Sequence, residues 1–326
     1  MSLKDIAAPV QQYLQVFDKT FERSIKSKTP LVDLVATYLI KRKGKRVRPI
    51  LVLLSAELCG GVNEGSYRGA ALVEILHTAT LIHDDVIDEA DMRRGFPSIK
   101  AIWKNKIAIL MGDYLLAKGL LLCLDNDDFQ FLKITSTSVK RMSEGEIYQI
   151  QKSRQMDTDE ETYLRIIGDK TASLLSTCCE IGATSSSRDP EKQSLLRNYG
   201  ENVGLAFQIK DDLLDYVGRR SITGKPVGLD LSDKKLTLPI IFALSQVPPK
   251  KRKEILGLIK NGGKKMKGKE IRSVVDFAEE FGGLEYASGK AQQFAATAKA
   301  LLSSFPESPS KNSLLAFADY VVQRDR

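Results

Sequence analysis

The sequence predicts an all-α fold: a single large helical bundle, residues 1–326. Two observations carry this. Apolar residues recur at three- and four-residue intervals through most of the chain, which is the period of a helix with one buried stripe. No segment of convincing length alternates β-branched and polar residues between turn signals, as a half-buried strand would.

The elements follow in order. VQQYLQVFDKTFERSI, LVDLVATYLIKR, SYRGAALVEILHTATLIHD, IAILMGDYLLAKGLLLCL and EIYQIQKSRQM each hold the helical period, as do ETYLRIIGDKTASLLSTCCEIGATSS, NYGENVGLAFQIKDDLLDYV and LPIIFALSQV. Breaks fall at Gly60-Gly61, Gly95 to Pro97, Asp189-Pro190, Pro248-Pro249, Gly262-Gly263 and Gly282-Gly283. These are the residues that stop helices. None resembles a linker between independent domains, so about ten or more helices are expected in one domain. The lysine-rich stretch from Pro248 to Glu270 reads as a polar segment between helices.

Composition narrows the classes. With 43% hydrophobic and 28% charged residues, a chain of this length can bury a sizeable core. No apolar run of about 18 residues is evident, so no transmembrane helix is expected, and the N-terminus lacks the apolar region of a secretory signal. Cys59, Cys123, Cys178 and Cys179 show no CxxC spacing and only two histidines exist, which argues against a zinc site. Free thiols in a reducing cytoplasm are the simplest expectation. The net charge of +8 has no aromatic-interleaved basic surface behind it, so nucleic acid is not expected as a partner; a small, highly charged anion is.

One stretch departs from a plain core helix. In LIHDDVIDEADMRRG, Asp84, Asp85 and Asp88 fall within one helical turn and Arg93 and Arg94 follow. At about 100° per residue, i and i+4 share a stripe and i+1 lies on its flank, so the three carboxylates are expected on one side. The apolar period runs unbroken through Ala70, Val73, Leu76 and Leu81, which places the acids late in the helix, where the macrodipole opposes them. Repelling carboxylates inside a core need cations, and hard divalent ions shared with phosphate oxygens suit them best. The pattern recurs: FQIKDDLLDY supplies Asp211, Asp212 and Asp215. Two such helices are expected to face each other across a cavity, holding several metal ions and a diphosphate. His77 lies seven positions before Asp84, within about 20° of the same stripe.

These motifs resemble those of the trans-type polyprenyl diphosphate synthases. DDVID with RRG, and later FQIKDDLLD, match that family's two aspartate-rich motifs. GKRVRP (Gly44 to Pro49), MGDYLLA, GDKTASLL, TGKPVGLDL, KLTLP and the tail SLLAFADYVVQR fit in the expected order across nearly the whole chain. The resemblance implies the isoprenoid synthase type I fold, a homodimer, and Mg²⁺ as the metal, several ions per site, with Mn²⁺ able to substitute. It implies condensation of an allylic diphosphate with isopentenyl diphosphate. By the same resemblance Asp84, Asp85, Asp88 and Asp211 bind metal, and Asp212, Asp215 and Asp230 support the second cluster. Arg93, Lys170, Lys225 and Lys235 contact the allylic diphosphate with Thr171 and Gln208 nearby, and Lys45, Arg48, His77 and Arg94 hold isopentenyl diphosphate.

The chemistry accounts for those residue types. Breaking an allylic C–O bond leaves a carbocation and a diphosphate with new negative charge, so cations aimed at the leaving group stabilise the transition state over the ground state. No Ser/His/Asp or Cys/His constellation is present, and none is needed if the departing diphosphate takes the final proton. In the family, the residues just before the first aspartates line the pocket for the growing tail. Here these are Leu76, Ala79 and Thr80, the nearer two small, with Gly119 expected to leave room deeper down. A long-chain product, octaprenyl-like and loosely membrane-associated, is therefore expected over farnesyl or geranylgeranyl diphosphate. A terpene cyclase would carry a different second metal motif, and a non-catalytic regulatory subunit should have eroded one aspartate cluster; both are intact.

Overall fold

A computed structural model describes residues 2–42, 44–93, 95–217, 229–263, 266 and 268–324. The described chain is helical almost throughout. Helices α1 (Leu3–Ala7), α2 (Leu14–Ile25), α3 (Pro30–Lys41), α4 (Val47–Cys59) and α5 (Glu64–Ile87) come first. After a two-residue hairpin, Met92–Arg93 against Phe96–Pro97, come α6 (Ile99–Leu124), α7 (Phe129–Gln155), α8 (Glu160–Ile167) and α9 (Ser173–Ser186). The chain continues with α10 (Pro190–Val217), α11 (Leu229–Ser232), α12 (Leu238–Ser245), α13 (Pro249–Gly262), α14 (Gly268–Glu280), α15 (Gly283–Leu301) and α16 (Pro309–Gln323).

The breaks lie where glycine and proline put them. Asn63 caps α5 by accepting from the Ser66 N–H, Ser98 caps α6 through Ala101, and Ser308 caps α16 through Lys311. Helices α4 and α9 are buried on nearly every side, which is why their sequences are apolar all round rather than striped. Around them one core gathers residues of α2, α5, α10 and α16. A second core unites the end of α10 with α12 to α15, and a third joins α3, α5 and α6. Phe294 of α15 packs against both of the first two cores.

Three expectations need correction. The segment from Pro248 to Glu270 is not merely polar, because α13 runs through it. Ile255 and Ile259 are buried one turn apart, and that stripe is enough to dock a helix whose other side is lysine. A single helical run over ETYLRIIGDKTASLL is instead interrupted by a π-turn, Gly168–Ala172. Finally, α6 is long and apolar enough to cross a membrane by length and composition, with mean hydropathy 1.9 in its best window. Asp113 and Lys118 interrupt the run in sequence without lowering the average enough. One face of α6 buries Ala108, Met111, Leu115 and Gly119, while Leu110, Leu120, Leu121 and Leu124 on the other are exposed.

Candidate active site

The C-terminal end of α5 delivers the first aspartates. The Asp88 N–H closes the last turn onto the Asp84 carbonyl at 2.8 Å, and Glu89, at φ 53°, turns the chain away. The helix's own carbonyls make this the negative end of the dipole, so it gives the carboxylates no support. Asp84 is half-buried, and burial raises its pKa; Lys170 pulls it back down, while Glu146 and Asp88 push it further up.

Asp85 does not join Asp84. One residue on, it turns roughly 100° around the helix, is almost wholly buried, and accepts a 2.6 Å hydrogen bond from Arg93 Nε. The expected convergence of all three carboxylates thus holds for the Asp84 and Asp88 stripe and fails for Asp85. Its side borders a separate cavity of about 410 Å³ with Phe17, Phe21, Leu81 and Ile82. Arg93, expected at the allylic diphosphate, is occupied by Asp85.

The second trio divides in the same way. Asp212 is buried and doubly held: Tyr163 Oη donates to Oδ2 at 2.6 Å and Gln208 Nε2 to Oδ1 at 2.7 Å. Thr171 Oγ1 in turn donates to Gln208 Oε1 at 2.8 Å, so the amide oxygen already has a partner. Burial drives the Asp212 carboxyl far above the ordinary aspartate value, and the nearby Asp230 charge adds to it. Burial likewise raises Asp230, with Asp215 adding and Lys235 opposing. Asp215 accepts from the Asp230 N–H at 3.1 Å. Asp211, exposed, pairs with Arg324 at 3.0 Å.

The two acidic segments open onto one cavity. Lys235 lies 3.6 Å from Asp233 and 4.0 Å from Asp230. Burial works against its charge, but Asp230, Asp233 and, from α5, Asp88 raise its pKa on balance. A cleft of about 770 Å³ is lined by Asp88, Glu146, Lys170, Asp233 and Lys235. It continues past Lys170 and Lys235 into a recess lined by Thr171, Gln208, Asp212 and Asp230. Lys170 ion-pairs with Glu146 and donates to Gln149 Oε1 at 3.0 Å. Among the described residues no three His, Cys, Asp or Glu side chains close on a single ion by themselves. Carboxylates spaced across a cleft, all hard oxygen donors, fit an ion such as Mg²⁺ that shares its remaining positions with phosphate oxygens and water.

The π-turn aims Lys170 and Thr171 into this cleft. Such bulges mark functional sites because they displace one turn of side chains. Two features brace it. Arg141 of α7 donates to Asp169 at 2.8 Å and forks onto Glu201 of α10. Gly145 lets α7 close in, since a Cβ there would stand 2.8 Å from Asp169 Cβ and 3.3 Å from the Lys170 nitrogen.

On the other side, Lys45 is exposed in the loop before α4, Arg48 is half-buried in the first turn of α4, and His77 is buried on α5. Arg94 and Lys225 lie outside the described residues. Leu76 and Thr80 line a small recess between α5, α7 and α9, with Thr135, Met142 and Leu174. Ala79 does not line it: fully buried, it packs toward α3 and α6 with Ile75, Ile82 and Met111. Nor does Gly119 leave a void, because a Cβ there would meet Leu72 Cδ1 at 3.3 Å; the glycine is used for the close approach of α6 to α5.

Several residues of the site had escaped notice. Glu146 and Gln149 sit three apart on α7 in GEIYQ, a spacing that could have been read as a polar notch in the bundle. Arg141, Tyr163 and Arg324 act over distances in sequence that no local pattern encodes.

Residues 29–277 match the polyprenyl synthetase family. The chain is 38% identical, over 98% of its length and of the relative's, to an all-trans-nonaprenyl-diphosphate synthase (geranyl-diphosphate specific) from Rhodobacter capsulatus. This chain belongs to the polyprenyl synthetase family. It is also 33% identical, over 100% of this chain and 99% of the other, to a short chain isoprenyl diphosphate synthase from Methanothermobacter thermautotrophicus. A polyprenyl synthase from Caulobacter crescentus, solved with calcium and isoprenyl diphosphate, superposes with a TM-score of 0.90 at 32% identity, covering 100% of this chain and 98% of that one. The family's reaction is prenyl transfer, and the chain is a prenyltransferase of that type.

Proposed function

We propose that the cleft ionises an allylic diphosphate between two Mg²⁺-binding carboxylate pairs and joins it to isopentenyl diphosphate, repeating the step to a long-chain all-trans product. The observation that carries this is Lys235, which lines one cleft with Asp88 of α5 and stands 3.6 Å from Asp233 and 4.0 Å from Asp230 on the far side. One diphosphate placed there lies between α5 and the segment of Asp230 and Lys235, which Asp215 of α10 holds through the Asp230 N–H.

In this reading Asp84 and Asp88 hold metal on one wall and Asp211 and Asp215 on the other, Asp211 after exchanging Arg324. Mg²⁺, or Mn²⁺ in its place, supplies Lewis-acid stabilisation of the leaving diphosphate when bound. Lys170, Lys235 and Lys225 add charge at the same group, and Lys170 must give up Glu146 to do so. Asp212 serves differently: it fixes Gln208, which fixes the Thr171 hydroxyl, so that neutral oxygens rather than nucleophiles border the allylic carbons. The burial of this recess keeps water from the carbocation. Lys45, Arg48, His77 and Arg94 receive isopentenyl diphosphate, and the departing diphosphate takes the proton lost when the new double bond forms.

The tail of the product is expected to descend past Thr80 and Leu76, gaining about 0.8 kcal/mol for each buried CH₂. The small Thr80 side chain at that entrance supports a long product, as does the nonaprenyl relative. The exposed leucines of α6 support a homodimer through that face, and the basic side of α13 supports loose contact with an anionic membrane. Incubation with farnesyl and isopentenyl diphosphates and Mg²⁺, followed by mass analysis of the products, tests the reading. Polyprenyl diphosphates beyond geranylgeranyl are expected. Turnover of farnesyl diphosphate alone would mean a cyclase instead.

A further inference from the structure

Arg42 lies outside every motif that the reaction uses, yet it joins two that do. It follows the last turn of α3, where its N–H bonds the Leu39 carbonyl, and it precedes Lys45 in the loop before α4 and Arg48 in that helix's first turn. Its guanidinium carbon stands 3.5 Å from the centroid of the Tyr38 ring and 4.5 Å from that of Phe96. Its Nη1 also donates to the Pro97 carbonyl at 2.8 Å, and Tyr38 Oη donates to the same oxygen at 2.7 Å. Tyr38 is itself backed edge-on by Trp103 of α6, 5.1 Å away.

Phe96 and Pro97 form the return strand of the hairpin whose outgoing strand carries Arg93, paired opposite Phe96, and which Arg94 follows. Arg42 therefore ties that hairpin to the end of α3 by a flat cation held between two rings and one shared carbonyl. Only a planar, multiply donating cation can stack on aromatic faces and reach a carbonyl in its own plane at once. The loop of Lys45 leads into α4 and the hairpin of Arg93 follows α5, and Gly44, Arg46 and Arg93 line with Arg42, Phe96 and Pro97 the 410 Å³ cavity between α2, α3 and α5.

We infer that Arg42 is a positioning residue for the isopentenyl diphosphate subsite: by stacking between Tyr38 and Phe96 it sets the distance between the Lys45 loop, with the start of α4 that carries Arg48, and the hairpin that pairs Met92 with Pro97. This rests on the assignment of Lys45, Arg48 and Arg94 to isopentenyl diphosphate made above. Its consequence is selective. The allylic diphosphate is gripped by Lys170, Lys235, Asp84 and Asp88, none of which lies on the hairpin or beside Arg42, so loosening the clamp should impair one substrate and spare the other.

Steady-state kinetics on the full-length enzyme with Mg²⁺ test this, varying each substrate at saturating levels of the other. Arg42→Ala is expected to raise the KM for isopentenyl diphosphate by about an order of magnitude, with the KM for farnesyl diphosphate and the thermal midpoint unchanged. Arg42→Lys, which keeps the charge but not the plane, is expected to restore little of it. Phe96→Leu alters a side chain that is 53% exposed, so folding is not at stake, and should give a smaller rise in the same KM. An unchanged KM in Arg42→Ala, full rescue by lysine, equal rises for both substrates, or no effect of Phe96→Leu would each overturn the clamp. Arg48→Ala, which leaves the clamp intact, separates the two claims. If it raises the KM while Arg42→Ala does not, the clamp alone falls; if it has no effect either, the subsite assignment falls and takes the clamp with it.

Discussion

The Asp85 carboxylate faces Arg93 at 2.6 Å, roughly 100° around α5 from the stripe of Asp84 and Asp88. Two neighbouring aspartates in one motif therefore do different work, and substitution should tell them apart. Asp84→Asn and Asp88→Asn are expected to cut kcat by at least two orders of magnitude and to raise the Mg²⁺ concentration at half-maximal activity. Asp85→Asn should leave that Mg²⁺ requirement near the wild-type value while lowering stability by about 1–3 kcal/mol, since it strips a charged hydrogen bond from a buried pair. Magnesium titrations of activity alongside denaturant unfolding measure both.

Product length should respond to Thr80 and not to Ala79. Thr80→Tyr projects into the recess that Leu76, Met142 and Leu174 line, and is expected to shorten the product. Ala79→Tyr, at the neighbouring position that the sequence also assigned to the tail pocket, instead forces a ring into the closed core beside Ile75 and Met111. It should destabilise the protein by about 1–3 kcal/mol or more through overpacking. Chain-length analysis by mass spectrometry, with thermal melts of both variants, distinguishes the two positions.

The buried carboxyls predict how metal-free protein responds to pH. Asp84, Asp212 and Asp230 all have folded-state pKa values raised above the ordinary value of 3.8, mainly by burial. A raised folded pKa means that the folded state holds its protons more tightly than the unfolded one. This contribution to stability is full below the ordinary value and is lost as pH rises through the folded values. In EDTA the melting temperature is therefore expected to fall on going from pH 6 to pH 8. Adding Mg²⁺ with inorganic pyrophosphate should restore more at pH 8 than at pH 6, because cations compensate ionised carboxylates and not protonated ones. Melting curves under the four conditions supply the check.

Gly145 tests the brace on the π-turn. An alanine methyl there would press on Asp169 and the Lys170 backbone at 2.8 Å and 3.3 Å, and the turn must move to accommodate it. Gly145→Ala should lower kcat/KM for the allylic substrate by tenfold or more, since displacements near 1 Å cost about that or worse. The helix itself should gain from alanine, so a fall in activity without a fall in far-UV circular dichroism is the expected signature.

Much of this was visible in the sequence, for physical reasons that also mark where the rest was hidden. The 3.6-residue period revealed the helices because each buries a stripe, and paired aspartates inside such stripes revealed the site because nothing apolar tolerates them. The same period could not say what holds Asp85, because that depends on Arg93 in the hairpin that follows α5. It could not reveal α13, where lysines mask a narrow apolar stripe of Ile255 and Ile259. The π-turn at Gly168–Ala172 and its Arg141–Glu201 brace depend on three helices meeting, which no local pattern records. Gly119 looked like space and proved to be contact, since a missing side chain is read equally well as either until a neighbour such as Leu72 is placed.

The central claim is that carboxylates from α5 and α10 share one metal-bound diphosphate. Crystals grown with Mn²⁺ and inorganic pyrophosphate, measured at the manganese absorption edge, address it directly. Anomalous peaks are expected at both walls of the cleft, within coordination distance of Asp84 and Asp88 on one side and of Asp211 and Asp215 on the other, bridged by a single pyrophosphate, with Arg324 displaced from Asp211. Peaks confined to one wall, or a pyrophosphate bound away from Lys170 and Lys235, would contradict it.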